Sequence, residues 1–130
     1  MDTPEAKKRI LLVDDCEVTL VVEKVLLESR GYEVQTLSTL AGFDAAVASF
    51  DPDVVLTDVR MPEASGMDLC RHLKRSAPGI PVVLVSAMGE EELSAYAQAS
   101  GADGYLSKAE GLEALGEKMD ALVRMLWMIG

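Results

Sequence analysis

Asp14 and Asp15 close the apolar run Ile10-Leu11-Leu12-Val13, and Asp58 closes a second run, Val54-Val55-Leu56-Thr57. If both runs are strands of a parallel sheet, their carboxyl ends open onto the same edge and the three carboxylates converge in one crevice. Two like charges at roughly 4 Å repel by about 4 kcal/mol even at an effective dielectric of 20. A chain that gathers three such groups calls for a cation, a shared proton or both.

The elements needed to bring these acids together follow from the rest of the pattern. Val18, Val21, Val22, Val25 and Leu26 recur at helical spacing until Gly31, which predicts an amphipathic helix with those residues inward. A short strand is expected over 32–37. A second helix carries Leu40, Phe43, Val47 and Phe50 on one face and ends at Asp51-Pro52. The strand over 53–57 precedes a loop with Met61-Pro62 and Ser65-Gly66, where Ser65 is placed to cap a helix reaching about Ser76. Pro78-Gly79-Ile80-Pro81 breaks the chain before a strand over 82–86. Glu90-Glu91-Glu92 suits the start of a fourth helix, with Leu93, Tyr96, Ala97 and Ser100 inward and Gly101 as its stop. A fifth strand is expected over 104–107, and Leu112, Leu115, Met119, Leu122 and Leu126 stripe a last helix. Three of the strands are continuously apolar, as strands covered on both faces must be. Five alternating units therefore predict a doubly wound α/β domain, whose ligand crevice lies beyond the carboxyl ends of its strands. Asp14, Asp15, Asp58, Ser86 and Lys108 all fall at such ends.

Composition narrows the function classes. A chain of 130 residues fits one domain, here residues 10–127, with 1–9 a loose lead-in and 128–130 the C-terminal end. The lead-in lacks the apolar segment of a secretory signal, and no run is long enough to span a bilayer, so the expectation is a cytoplasmic protein without a membrane partner. A formal net charge of −10 would repel nucleic-acid phosphates, which argues against direct nucleic-acid binding. Cys16 and Cys70 show neither a disulfide pattern nor metal-ligand spacing and read as free thiols. His72 has no acidic or cysteine partner at ligand spacing and reads as a surface residue.

In order along the chain, Asp14-Asp15, Asp58 with Met61-Pro62 and Gly66, Ser86-Ala87, and the stretch Gly101-Ala102-Asp103-Gly104-Tyr105-Leu106-Ser107-Lys108 resemble the receiver domain of bacterial two-component response regulators. The likeness runs from Ile10 to about Leu126. It implies a flavodoxin-like sheet of order 2-1-3-4-5 with five flanking helices. It also implies that Asp58 accepts a phosphoryl group from a phosphohistidine on a sensor histidine kinase or phosphotransfer protein. One Mg²⁺ would be held by Asp15, Asp58 and the backbone carbonyl of Arg60, with Asp14 acting through water. Lys108, the Ser86 hydroxyl and the Ala87 N–H would then bind the phosphoryl oxygens. Tyr105 would follow the Ser86 loop inward and change the surface of helix four, strand five and helix five. That surface would meet an output partner or attached effector domain, or a second copy in a homodimer.

The chain departs from the family pattern at Ala109, where a proline after a cis peptide bond is usual; a trans Lys108–Ala109 bond is expected, because cis costs roughly 3 kcal/mol before a non-proline residue. The same resemblance implies that Arg60 and Met88 would flank the approach of water to a phosphorylated Asp58, and neither residue type suits a rapid hydrolysis. Since the sequence closes at Trp127-Met128-Ile129-Gly130, the expectation is a stand-alone regulator or a receiver excised from a longer protein. Other classes fit less well. A degenerate receiver would lack part of the acid, serine and lysine set. A dehalogenase-like phosphatase needs a second Asp where Arg60 stands, and a dinucleotide-binding enzyme needs a Gly-rich turn where Asp14-Asp15-Cys16 stands.

Overall fold

The computed structural model describes residues 8–128. Its elements alternate without exception: β1 Arg9–Val13, α1 Glu17–Ser29, β2 Glu33–Leu37, α2 Phe43–Phe50, β3 Val54–Asp58, α3 Gly66–Ser76, β4 Val82–Ser86, α4 Glu90–Ser100, β5 Gly104–Ser107 and α5 Leu112–Met128. All strand pairs are parallel and the sheet order is β2-β1-β3-β4-β5. Arg9, expected in the lead-in, is the first residue of β1, where its N–H donates to Asp53 Oδ2 at 2.7 Å. The rest of the expected lead-in, residues 1–7, lies outside the described residues, as do residues 129 and 130 of the C-terminal end.

Because side chains alternate across a strand, Ile10 and Leu12 face one side of β1 while Leu11 and Val13 face the other. The first pair joins Leu56, Val85, Leu20, Leu27, Leu115 and Met119 under α1 and α5. The second joins Phe43, Val55, Leu69 and Leu73 under α2 and α3, and Leu93 and Ala97 of α4 close over Leu84 and Val59. Burying each such aliphatic side chain contributes about 1.5–3 kcal/mol, so the central strands anchor the fold.

Helix α1 exists where expected, but of its expected inward face only Leu26 packs against the core. Val18, Val21 and Val25 are 73%, 63% and 62% exposed and Val22 is 40% exposed, whereas Leu20, Glu23 and Leu27 are the buried residues. Both faces of this helix carry apolar residues, so periodicity alone did not distinguish them; contact with β1 and α5 did. Two smaller corrections have local causes. Gly42 adopts φ 77°, a left-handed conformation that starts α2 at Phe43 and leaves Leu40 in the preceding turn. Leu112, at the first turn of α5, is 45% exposed. Ser65 caps α3 as its sequence suggests, with Asp68 N–H donating to Ser65 Oγ at 3.1 Å and Ser65 N–H donating to Asp68 Oδ2 at 3.2 Å.

Candidate functional site

Register places the chemistry. Val13 pairs with Thr57, Asp58 with Val85, and Ser86 with Ser107, so the residues that end β1, β3, β4 and β5 share one edge of the sheet. That edge is where the strand order reverses between β1 and β3. The crevice there encloses about 390 Å³ and is lined by Asp14, Asp15, Asp58, Arg60, Ser86, Ala87, Met88 and Lys108, together with Cys16, Thr19 and Val59. A more apolar hollow of about 370 Å³ between α2 and α3, around Leu40, Phe43 and Leu69, lies away from these groups and is not the chemical centre.

Carboxylate oxygens of Asp14, Asp15 and Asp58 lie within 4.8 Å of one another. Asp14 is buried, and its Oδ1 accepts the Cys16 N–H at 2.9 Å, which fixes the turn after β1. Asp15 is exposed. Asp58 Oδ1 accepts the Val59 N–H at 2.8 Å. Burial, and then the neighbouring charge of Asp14, raise the Asp58 carboxyl above its ordinary value, with Val59 and Lys108 opposing. An all-oxygen donor set of this kind, with its charge incompletely balanced by protein, fits a hard divalent cation of the Mg²⁺ type.

The opposite wall is built from the ends of β4 and β5. Ser86 is buried and its Oγ accepts the Met88 N–H at 3.2 Å, while Lys108 N–H donates to the Ser86 carbonyl at 2.7 Å. Ala87 is exposed at the rim. Ser107 was not singled out from the sequence, yet its Oγ donates to the Met88 carbonyl at 2.6 Å and accepts the Ala109 N–H at 3.2 Å, lacing the two loops together. No cis peptide occurs among the described residues, so the Lys108–Ala109 bond is trans. Tyr105 is partly buried and packs against the Val59, Leu84, Leu93 and Ala97 group.

Lys108 Nζ lies 3.2 Å from Glu23 Oε2 and 3.7 Å from Asp14 Oδ2. Asp58 is not among its ion-pair partners. Glu23 is the second residue that the sequence reading missed, and the missed signal was its place at helical spacing between Leu20 and Leu27, an acid on an apolar face. Burial raises the Glu23 carboxyl above its ordinary value against the pull of Lys108. At Lys108 burial works downward, but Glu23, Asp14 and Asp58 outweigh it and the ammonium is held above its ordinary value. His72 stands outside this site. It is half-exposed, yet its Nε2 lies 2.7 Å from Asp44 Oδ1 across α2 and α3, an acidic partner that sequence spacing did not reveal.

The family model described as the response regulator receiver domain matches residues 10–120. The chain belongs to that family. The receiver domain is a signalling domain rather than a conventional enzyme. Among curated relatives, this receiver is 36% identical over 124 residues to a gliding motility regulatory protein of Myxococcus xanthus, covering 92% of this chain and 16% of that protein. It is also 36% identical over 115 residues to the transcriptional regulatory protein KdpE of Mycobacterium tuberculosis, covering 88% of this chain and 50% of KdpE. The receiver thus spans half or less of the length of these two relatives. Among solved structures, a CheY-like response regulator receiver domain protein from Methanospirillum hungatei superposes with a TM-score of 0.81 at 29% identity, covering 96% of this chain and all of the other.

Proposed function

We propose that this receiver takes up a phosphoryl group on Asp58. A carboxylate oxygen of Asp58 attacks phosphorus, the phosphorus–nitrogen bond of a donor phosphohistidine breaks, and the imidazole leaves with the electron pair. The observation that carries this reading is the meeting of Asp14, Asp15 and Asp58 within 4.8 Å at the edge that also bears Ser86 and Lys108. Mg²⁺, held by Asp15, Asp58 and the Arg60 carbonyl with Asp14 behind a bound water, would supply charge neutralisation to the transferred oxygens. The protein's own contribution is positioning. Val59 N–H holds one Asp58 oxygen, leaving the other as nucleophile. Lys108 offers a point charge, and Ser86 and the Ala87 N–H offer donors to the new phosphoryl oxygens.

Ser86 drawn toward the phosphoryl group would pull the loop that Met88 and Ser107 lace to β5, and Tyr105 would move with it. The surface of α4, β5 and α5 then differs between the two states. A histidine kinase or phosphotransfer protein would write the signal in the cytoplasm, and an output partner, an attached effector domain or a second copy would read it. The test is incubation with acetyl phosphate, with and without Mg²⁺, followed by intact mass. A single phosphoryl adduct that requires Mg²⁺ is expected in the native chain. It should be absent from Asp58→Asn and strongly reduced, with weakened Mg²⁺ binding, in Asp15→Asn. Equal labelling of Asp58→Asn and the native chain would place the acceptor elsewhere.

A further inference from the structure

Glu23 departs from everything around it. It lies on the buried face of α1 between Leu20 and Leu27 with its side chain only 4% exposed, and among the described residues its single ion-pair partner is Lys108, at 3.2 Å. On the α1 side the pair is lined by Val18, Thr19, Val22 and Leu112, none of which carries a charge, while on the crevice side Asp14 Oδ2 lies 3.7 Å from the ammonium. The backbone of Lys108 is tied to that of Ser86 and Gly111, its N–H donating to the Ser86 carbonyl and its carbonyl accepting the Gly111 N–H at 3.1 Å, so a move of the ammonium relative to Ser86 falls to the side chain. The ammonium therefore sits between Glu23 on α1, its nearer partner, and the acid cluster, which it reaches at Asp14 3.7 Å away, while with Asp58 it forms no ion pair here.

We infer that Glu23 is a positioning residue that latches Lys108 away from Asp58 in the unphosphorylated receiver and so sets the balance between its two states. The inference rests on the proposed phosphoryl chemistry of Asp58. Held nearer Glu23 than Asp14, Lys108 neutralises the acid cluster only in part and leaves it more receptive to a divalent cation. Once a phosphoryl group is present, the same ammonium is claimed from two sides. Its transfer would strip a buried carboxylate of its counter-ion, which opposes the phosphorylated state. One charged side chain with two competing anionic partners is a two-state element that both α1 and the acceptor bias.

The experiment uses the full chain, Mg²⁺ and fluoroberyllate as a phosphoryl analogue. Glu23→Gln retains the shape and an acceptor oxygen but removes the charge, and Glu23→Leu replaces the group with an apolar one. In both, fluoroberyllate at saturating Mg²⁺ should bind about tenfold more tightly than in the native chain, within the usual range of coupling between linked groups. Mg²⁺ alone should bind more weakly, because the released ammonium moves toward the cation's ligands. Changes of opposite sign are not expected from a residue that merely holds α1 in place. In the native chain, through-hydrogen-bond NMR coupling between Lys108 Nζ and the Glu23 carboxyl carbon should be present before the analogue is added and lost afterwards. Unchanged or weaker analogue binding in Glu23→Gln, or coupling that survives analogue binding, would overturn the latch. If the native chain bound no analogue while the Lys108–Glu23 coupling persisted, the phosphoacceptor reading of Asp58 would fall and the latch with it.

Discussion

Around Asp58, the balance of the site depends on single side chains whose neighbours give them opposite tasks. Lys108 stands between Glu23 and Asp14, and Asp58 keeps one oxygen tied to Val59. On the proposed phosphorylation of Asp58, two further residues at the crevice would bear on how long the phosphoryl group lasts. Arg60 is exposed at the rim, and Met88 lines the same crevice, its N–H donating to Ser86 Oγ and its carbonyl accepting from Ser107 Oγ. A thioether accepts hydrogen bonds only weakly and cannot orient an attacking water, while a guanidinium has donors for phosphoryl oxygens and the length to block the path. The Asp58 acyl phosphate should therefore decay slowly. The double variant Arg60→Asn, Met88→Glu should shorten its half-life by about tenfold through better placement of water. Equal decay in the two proteins would show that another part of the molecule governs the lifetime.

Among the secondary-structure elements, α3 shows how closely a helix must approach β3. Gly66 at its first turn donates to the Val59 carbonyl at 2.7 Å, and a Cβ built there would lie 2.5 Å from the Asp58 carbonyl oxygen and 3.2 Å from Val59 Cα. Gly66→Ala should lower unfolding stability by about 1–3 kcal/mol through overpacking and weaken Mg²⁺ binding by displacing the Asp58 backbone. Ser65→Ala, one residue earlier, should cost about 1 kcal/mol by removing the cap while leaving Mg²⁺ affinity unchanged. Urea melts paired with metal titrations distinguish them, and equal metal affinity in both variants would contradict the close-approach argument. The contrast also indicates what was legible in advance. Caps, breaks and continuously apolar strands are local, so β4, β5 and the bounds of α3 could be read directly from the chain. The inward face of α1 could not, because Val18, Val21 and Val25 compete with Leu20 and Leu27 and only packing decides between them. Glu23 and Ser107 escaped for the same reason: each acts on a partner brought near by the sheet rather than by sequence spacing.

For the molecule as a whole, gathering acids at one edge makes stability depend on pH and cation together. Asp58 and Glu23 both have carboxyls held above their ordinary values of 3.8 and 4.5, in each case through burial first. A folded state that holds such protons more tightly than the unfolded chain gains from them at low pH. That contribution is fully present below the ordinary values and is lost as pH rises through the higher folded values. Asp68 behaves oppositely: bonds from Ser65 lower it, so its contribution is present at neutral pH and is lost on acidification. The difference between native chain and Asp58→Asn isolates Asp58 from these opposing groups. Without divalent cation at pH 7, Asp58→Asn should be the more stable protein, and its advantage should shrink as pH falls toward 3.8 and below. Saturating Mg²⁺ should reverse the order at pH 7, because a ligand at one hundred times its dissociation constant adds about 2.7 kcal/mol to the state that binds it. Urea unfolding at pH 7 and pH 4, with and without Mg²⁺, measures all four values. A cation-free Asp58→Asn chain less stable than the native one at pH 7 would mean that the ionised Asp58 is better compensated by Val59 and Lys108 than its burial beside Asp14 implies.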